Sequence, residues 1–308
     1  MTGLFAARPS WRDAPEALRS AVAQACGSPV LGSRDLHGGM SPGPAGVLRL
    51  ADGRQVFVKA VSREASIASH RFYRQEATAL SVMPSEAPAP KLLARIEVDG
   101  WCALVMSLAE GGPAGPPWTS DGVALVAAAC EHIGRLPAPA GVPPIGDLLT
   151  DLDGWQRLAD GDPGRLDRWE RRHAEALAGL AAGWPAWTTG TALVHQDIRA
   201  DNAVVDPRAG RAVLVDWSFA CSGAGWLDRA RLAADVVGTG HRDGPAAALR
   251  TATGLLGALP ADAPGFVAAL AGMWRYRSTL PAPPGHPTLR PWQRERSRLL
   301  RPLLTTLI

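Results

Sequence analysis

The stretch LVHQDIRADNAVVDPRAGRAVLVDWSFA, residues 193–220, decides the fold of this 308-residue chain. Its pattern predicts a short apolar strand, a polar loop, a β-hairpin and a second apolar strand that ends at Asp216. The loop carries Asp197 and, five residues later, Asn202, and Asp216 follows fourteen residues beyond. Phosphoryl transfer from ATP requires such a set, because one carboxylate takes or orients the hydroxyl proton while the amide and the other carboxylate hold Mg²⁺. ATP and Mg²⁺ are therefore the expected cofactors.

The same segment resembles the catalytic loop of the aminoglycoside phosphotransferase and choline kinase-like small-molecule kinases, within the protein-kinase-like superfamily. Members typically show H-G-D-x-x-x-x-N followed by D-W or D-F, and here the residues are HQDIRADN and DWSFA. The resemblance implies that Asp197 is the catalytic base and that Asn202 and Asp216 bind the metal. It places Arg199 where protein kinases carry a phosphate-contacting lysine. Gln196 stands where the group usually has glycine, and we expect its side chain to reshape the acceptor pocket.

The resemblance implies an α+β, bilobed protein-kinase-like fold with a small β-rich N-lobe and a larger helical C-lobe. Residues 1–108 would form the N-lobe, with the nucleotide phosphate loop, a strand lysine and one main helix. Residues 109–308 would form the C-lobe, with the catalytic loop, the metal site and the acceptor site. The hydrophobic spacing agrees with this division, since helices are predicted over residues 10–26 and 62–83 and then over 123–136, 145–159, 166–182, 227–239, 245–259, 265–277 and 291–304.

The strand lysine stands out because the chain contains thirty arginines and only two lysines, Lys59 and Lys91. A bias so strong would be expected to replace any lysine whose role an arginine could fill. Lys59 ends an alternating strand that follows the Asp52-Gly53 turn, where both residues are expected at positive φ. In kinases a lysine on such a strand meets the α- and β-phosphates of ATP.

A kinase lysine of this kind is oriented by a glutamate on the following helix. Glu76 lies seventeen residues after Lys59 in the helix predicted over 62–83 and is the expected partner, with Glu64 as the alternative.

Two further segments are expected to contact the nucleotide. The stretch HGGMSPGPAGVLRL, residues 37–50, is the candidate phosphate-covering loop, in which glycines allow close approach and Ser41 adds a donor. A strand over 101–108 then runs into AEGGPAGPP, residues 109–117, which we expect to lack regular structure and to form the hinge. Backbone groups near Met106 and Leu108 would meet the adenine edge.

Two residues near the catalytic loop are expected to support it. Asp228, in a segment that resembles the start of the helix after the metal aspartate, would cap that helix or hydrogen-bond the loop backbone. His195, two residues before Asp197, is expected to orient the loop by hydrogen bonds.

The acceptor is less clearly specified, because two charge patterns point in opposite directions. Acids cluster in the segment where, by resemblance, aminoglycoside kinases face a polycationic sugar: Asp147, Asp151, Asp153, Asp160 and Asp162, with only Arg157 among them. After Asp262, however, there are seven arginines and one acid, Glu295. Tryptophans in the C-terminal half offer flat surfaces for a ring. A neutral or weakly charged polyol, nucleoside-like or macrolide-like acceptor is therefore favoured over a polycation.

The expected function is ATP-dependent phosphorylation of a hydroxyl group of a small molecule, an antibiotic of aminoglycoside-, nucleoside- or macrolide-like type. A metabolic kinase of a sugar, amino alcohol or choline-like compound would share the catalytic residues and stays open. A non-catalytic kinase-like binding protein would be expected to lack Lys59, Asp197, Asn202 or Asp216, and all are present. A protein kinase would need a long activation segment, whereas Asp228 follows Asp216 by only twelve positions.

Composition narrows the class of protein, its partners and its cellular location. With 46% hydrophobic and 20% charged residues the chain is globular, and a net charge of +3 gives no support for a nucleic-acid partner. Neither a membrane span nor a signal-peptide core is predicted. The four cysteines are widely separated, which predicts no disulfide or zinc site and favours the reducing cytoplasm. The oligomeric state, monomer or homodimer, stays open.

Overall fold

The structure is a computed structural model that describes residues 8–39, 41–161, 163–187, 189–283 and 287–308. Its internal contacts divide the chain into two units, one of Met1–Gly111 with Val213–Phe219 and one of Gly112–Ala212 with Ala220–Ile308. The first unit is rich in strands and the second in helices, so the predicted α+β class is confirmed. Every helix in the described residues is too short or too polar to span a bilayer.

The first unit is built on a five-stranded antiparallel sheet whose strands, from one edge to the other, cover residues 30–35, 45–50, 55–62, 101–107 and 92–98. Lys59 lies on the central strand, opposite Ala45 on one neighbour and Leu104 on the other. In the Asp52-Gly53 turn only Gly53 has a positive φ, +86°, so the expectation for Asp52 is wrong. The strands are β1 (Val30–Asp35), β2 (Ala45–Leu50), β3 (Gln55–Ser62), β4 (Leu92–Val98) and β5 (Trp101–Ser107).

Two helices complete this unit, α1 (Glu16–Cys26) and α2 (Ile67–Ser81). Helix α1 buries Leu18 and Val22 against the sheet. Helix α2 begins five residues later than predicted, because β3 continues to Ser62 and the side chain of Ser66 caps the helix by accepting from Ser69 N at 3.1 Å. It still carries Glu76 in its buried face.

The second unit is mainly helical. Two ranges that the sequence predicts as single helices are each divided in the structure. Residues 145–159 break around Asp151, whose φ of +64° is incompatible with a right-handed helix, and 291–304 breaks at Leu300, just before Pro302. Its helices are α3 (Ser120–Ile133), α4 (Ile145–Leu148), α5 (Gly154–Asp160), α6 (Arg168–Ala181), α7 (Trp184–Trp187), α8 (Leu227–Thr239), α9 (Pro245–Gly257), α10 (Ala263–Arg277), α11 (Leu289–Leu299) and α12 (Arg301–Thr305).

Short strands frame the catalytic loop. Strand β7 (Ala192–Val194) pairs antiparallel with β10 (Cys221–Gly223), and the loop leads from β7 into β8 (Ala203–Asp206). The hairpin continues with β9 (Arg211–Leu214), which forms a three-stranded sheet with β8 and β6 (Gly112–Pro113). The expectation that residues 109–117 lack regular structure is therefore wrong, because Gly112 pairs with Val205 across the ladder.

The helical core depends on close contact between α5 and α10. A Cβ atom placed on Gly272 would lie 2.5 Å from Cδ1 of Trp155, and one on Gly154 would lie 2.3 Å from the carbonyl oxygen of Gly272. Trp155 is buried and its Nε1 donates to Ala268 O at 2.9 Å, which fixes the ring. Glycine is thus required at both positions.

We predict that Gly272→Ala lowers the free energy of unfolding by about 1–3 kcal/mol, because the added methyl group must displace a fixed indole ring. Gly179→Ala is the matched control, since Gly179 is also within a helix but has no atom within 4 Å of the position of its Cβ. The control should be slightly more stable than the parent, by about 0.4–1 kcal/mol. Urea-induced unfolding measures both, and equal stability of the two variants would contradict the packing argument.

Candidate active site

A buried lysine and two carboxylates meet in the first unit. The ammonium of Lys59 forms an ion pair with Glu76 Oε2 and lies 3.3 Å from Asp216 Oδ1. It also lies 4.7 Å from the centre of the Tyr73 ring. Glu64, the alternative partner, is exposed, and it is Glu76 that contacts the lysine.

The electrostatics of this cluster follow from its burial. Burial alone would lower the pKa of Lys59, but the charges of Asp216 and Glu76 outweigh it and raise the pKa above the ordinary range for lysine. Burial raises the pKa of Glu76, and the neighbouring Lys59 opposes that shift. Both shifts describe one pair, in which the anion is costly to bury and the neighbouring ammonium favours its ionised form. Lys59 is therefore a fixed positive charge.

Asp216 occupies an unusual backbone conformation with a φ of +66°. Ser218 Oγ donates to its Oδ1 at 2.7 Å, and the adjacent Trp217 is fully buried with its Nε1 donating to Leu214 O at 2.7 Å. Phe219 packs on Phe72 of α2 with ring centres 5.1 Å apart. The segment after β9 is therefore anchored to the same helix that carries Glu76.

The glycine- and proline-rich loop between β1 and β2 approaches β3 closely. A Cβ atom on Gly43 would lie 1.8 Å from the carbonyl oxygen of Ala60, so only glycine fits beside the residue that follows Lys59. Ser41, the predicted phosphate donor, accepts a hydrogen bond from the hydroxyl of Tyr73 at 2.9 Å. Met40, within the predicted loop, lies outside the described residues.

The residues expected near adenine lie at the end of β5. Met106 is buried within the strand, opposite Phe57 and Leu92, whereas Leu108 is half-buried one residue past the strand end at Ser107.

In the second unit the catalytic loop orients Asp197 directly. Asn202 Nδ2 donates to both the backbone oxygen and Oδ2 of Asp197, each at 2.9 Å. Nδ1 of the buried His195 accepts from Asp197 N at 3.3 Å, so His195 makes a hydrogen bond to the loop of the kind that its predicted orienting role requires. The Asp197 side chain keeps 20% of its surface exposed, so the loop fixes its carboxylate and leaves it accessible.

Arg199 is held by a residue that sequence reasoning missed. Its Nε and Nη2 each donate to the carboxylate of Asp201 at 3.0 Å, a two-point pair, while Nη1 lies 3.9 Å from Asp197 Oδ2. The signal was present as an arginine and an acid two residues apart in the loop. Asp201 thus sets the position of the arginine expected to contact phosphate.

Helix α8 anchors the loop backbone. Asp228 accepts from His195 N at 2.7 Å and from Gln196 N at 2.9 Å, which confirms its predicted bond to the loop. It is not the helix cap, since the N-cap residue of α8 is Trp226. One residue that the sequence did not reveal, Asp235, accepts from Ala200 N at 2.9 Å and from Trp118 Nε1 at 3.0 Å.

The expectation for Gln196 is wrong. Its side chain is buried, at 5% exposure, and its Oε1 accepts from Nη2 of the equally buried Arg231 at 2.7 Å. The amide therefore points into the protein and binds α8, so it does not extend an acceptor surface.

The predicted metal ligands have suitable chemistry for Mg²⁺. An amide and a carboxylate supply hard oxygen atoms, and the Asp216 side chain is 41% exposed. The contact made by Asn202 Oδ1, from Arg199 at 3.5 Å, is weak. No group of three or more His, Cys, Asp or Glu residues able to hold a metal occurs in the described residues.

Comparison with known proteins agrees with these observations. The model of the phosphotransferase enzyme family APH matches residues 45–270, whereas a search of curated proteins found no match. An aminoglycoside phosphotransferase APH(4)-Ia mutant, in ternary complex with AMP-PNP and hygromycin B, has 16% identity and a TM-score of 0.57 over 92% of this chain and 98% of that one.

Two other solved structures are also similar. Macrolide 2'-phosphotransferase type I has 18% identity and a TM-score of 0.52 over 85% of this chain and 89% of that one. A putative fructosamine-3-kinase from Haemophilus somnus 129PT has 11% identity and a TM-score of 0.51 over 94% and 96%. At these identities the structures show a shared fold.

We predict that Lys59→Arg lowers kcat/KM by about tenfold or more, equivalent to about 1.4 kcal/mol of transition-state stabilisation. The wide planar head must fit where a point charge now meets Glu76 and Asp216, and a two-point pair with Glu76 would draw it from the phosphates. Lys91→Arg, at the exposed second lysine, is the control and should change nothing. Steady-state kinetics with unchanged Tm would support the prediction; wild-type kinetics for Lys59→Arg would show that the rarity of lysine carries no functional information.

Proposed function

Because the chain belongs to the phosphotransferase enzyme family, we propose that it transfers the γ-phosphoryl group of ATP to a hydroxyl of an antibiotic-like small molecule, with Asp197 as base. The family and the fold make it an ATP-dependent small-molecule kinase. The observation that carries the finer proposal is the orientation of the Asp197 carboxylate by Asn202 Nδ2, with part of that carboxylate exposed.

The proposed step needs few groups. Asp197 accepts the proton of the acceptor hydroxyl while the oxygen bonds to the γ-phosphorus, and the bond to the β–γ bridging oxygen breaks to release ADP. Lys59 supplies fixed positive charge to the α- and β-phosphates, and Arg199, held by Asp201, supplies it to the transferred group. Asn202 and Asp216 would hold Mg²⁺, which neutralises phosphate charge when bound. Ser41 and the backbone at Met106 and Leu108 are proposed to contact the phosphates and the adenine.

The proposed acceptor class rests on the partners that the clustered aspartates have within the protein. Asp151 binds Arg157 at 3.0 Å and Arg277 at 2.9 Å, and Asp153 binds Arg157 at 2.9 Å. Asp160 accepts from Gln156 at 2.9 Å. Asp162 lies outside the described residues. These carboxylates are satisfied within the protein, which favours a neutral or weakly charged polyol, nucleoside-like or macrolide-like acceptor over a polycation.

A metabolic kinase of a sugar, amino alcohol or choline-like compound is the second candidate, because a cluster in which Asp151 and Asp153 are already paired with arginines also suits an uncharged sugar. Purified protein with MgATP should be screened against macrolides, nucleosides, sugars, amino alcohols and polycationic aminoglycosides. ADP release above background and a product heavier by one phosphate identify the acceptor. A polycation phosphorylated far better than any neutral compound would overturn the proposed class.

The proposed setting is the cytoplasm, where ATP is available and the thiols of Cys26, Cys102, Cys130 and Cys221 stay reduced; all are free in the structure. A monomer or a homodimer is proposed, and gel filtration distinguishes them.

We predict that Asp197→Asn abolishes turnover while MgATP binding, measured by calorimetry, changes less than about threefold. The amide keeps an oxygen to accept from Asn202 but cannot take a proton. Asp121→Asn, at an exposed acid in the first turn of α3, is the control and should keep full activity. Near-wild-type turnover in Asp197→Asn, with the acceptor found in the screen, would show that this loop is wrongly assigned.

For the metal we predict different outcomes at the two ligands. Asp216→Ala should remove the difference in ATP affinity between solutions with Mg²⁺ and with EDTA, because its carboxylate is the charged ligand. Asn202→Ala should retain most of that difference and mainly lower the rate, since it also loses the bond that orients Asp197. Calorimetry that shows the full Mg²⁺ effect in Asp216→Ala would rule out its metal role.

A further inference from the structure

The residue before the proposed base has a backbone conformation that its side chain disfavours. Gln196 has a φ of +69°, in the left-handed region where residues other than glycine are strained. A glycine there would adopt this conformation freely, so the glutamine must be held in place by contacts.

Two such contacts come from one face of α8. Asp228 Oδ1 accepts from Gln196 N at 2.9 Å, and Arg231 Nη2 donates to Gln196 Oε1 at 2.7 Å. Asp228 and Arg231 are three residues apart, so they lie on the same side of the helix. Both the backbone and the side chain of Gln196 are therefore fixed to α8.

Arg231 is unusual as a buried cation. Only 7% of its surface is exposed, and its buried Nε has no hydrogen-bond partner in the described residues. Burial lowers its pKa, and the charges of Asp197 and Asp228 oppose that shift. The charge of Asp197 is thus among those that favour the ionised arginine, although the direct bond of the arginine is to Gln196. Burying a charged guanidinium costs free energy, so a helix that only covered the loop would be expected to carry an apolar residue at this position.

We propose that Arg231 is a positioning residue for phosphoryl transfer: through its hydrogen bond to Gln196 it holds the strained turn that presents Asp197. The inference rests on the proposed role of Asp197 as base. The hydrogen bond between Arg231 and Gln196 compensates for the strain of the positive φ, which a glycine would adopt without strain. Without the glutamine, Arg231 is a buried cation that has lost its hydrogen-bond acceptor. Without the arginine, Gln196 keeps its strained φ but loses the hydrogen bond that holds its side chain.

A double-mutant cycle on the full-length protein tests this pair. The variants are Arg231→Met, Gln196→Gly and the double variant, and the probe is MgATP hydrolysis with water as acceptor. We expect each single variant to lower kcat about tenfold with KM for MgATP within about twofold, since neither residue is proposed to hold the nucleotide. The double variant should recover to within about threefold of the parent, because glycine takes the turn without strain and no cation is left unpaired. Arg229→Met, at the partly buried neighbour on α8 that lies 3.8 Å from Glu131 Oε2, is the control and should keep the parental rate.

The possible results separate the alternatives. A double variant as slow as Arg231→Met would overturn the proposal and indicate that Arg231 acts on the substrate itself. Single variants that lower Tm but keep kcat, assayed well below their Tm, would also overturn it, in favour of a purely structural role. If Arg231→Met does not fold, a double variant faster than Gln196→Gly supports the pair, and one equally slow overturns it. Asp197→Asn is measured in parallel, and its full activity would reject the proposed function. If Asp197→Asn is inactive but the effects of Arg231→Met and Gln196→Gly simply add in the double variant, this inference alone is rejected.

Discussion

The catalytic loop depends on two buried carboxylates of one helix. Asp228 and Asp235 lie two turns apart on α8 and accept hydrogen bonds from the backbone of His195, Gln196 and Ala200. Burial raises the pKa of both acids, and nearby positive charge, such as that of Arg296 beside Asp235, opposes the shift together with the donated N–H groups. A loop that leaves the strand pairing must satisfy its N–H groups elsewhere, and a charged acceptor does so more strongly than a neutral one. The position of the loop is therefore set by the position of α8, and a displacement of that helix would carry the proposed base with it.

Buried charge also organises the first unit, but there the central group is a cation and its partners are carboxylates. There a buried cation on the central strand is fixed by an acid from α2 and an acid from the segment after β9. Each charge is costly to bury alone, so the three define one another's positions. Asp216 keeps the largest exposed fraction of the three side chains, which suits its proposed role as a metal ligand.

Spacing along the chain was enough to predict the loop, the strand lysine and Glu76, because these residues sit at fixed offsets within regular elements. Sequence could not predict the bend at Asp151, since a positive φ at an aspartate leaves no local signal and the side chain is bound by Arg277 Nε from 126 positions away. The binding of Gln196 by Arg231 was missed for the same reason, and so was the ion pair of Arg277 with Asp151 in the acidic cluster. Such errors share one cause: side-chain partners distant in sequence decide what a charged residue is available to do.

The arginine bias can now be interpreted in terms of geometry. Where two oxygens lie side by side the chain uses the planar fork, as in Arg199 on Asp201 and the buried Arg275 on Glu170. At Lys59 the partners are two separate carboxylates and the face of a tyrosine ring, which converge on a point from different directions. A guanidinium would satisfy one carboxylate well and turn its plane away from the others, whereas an ammonium contacts all of them. The lysine thus stands at a site that requires a compact charged group, where a positive charge of planar geometry would not suffice.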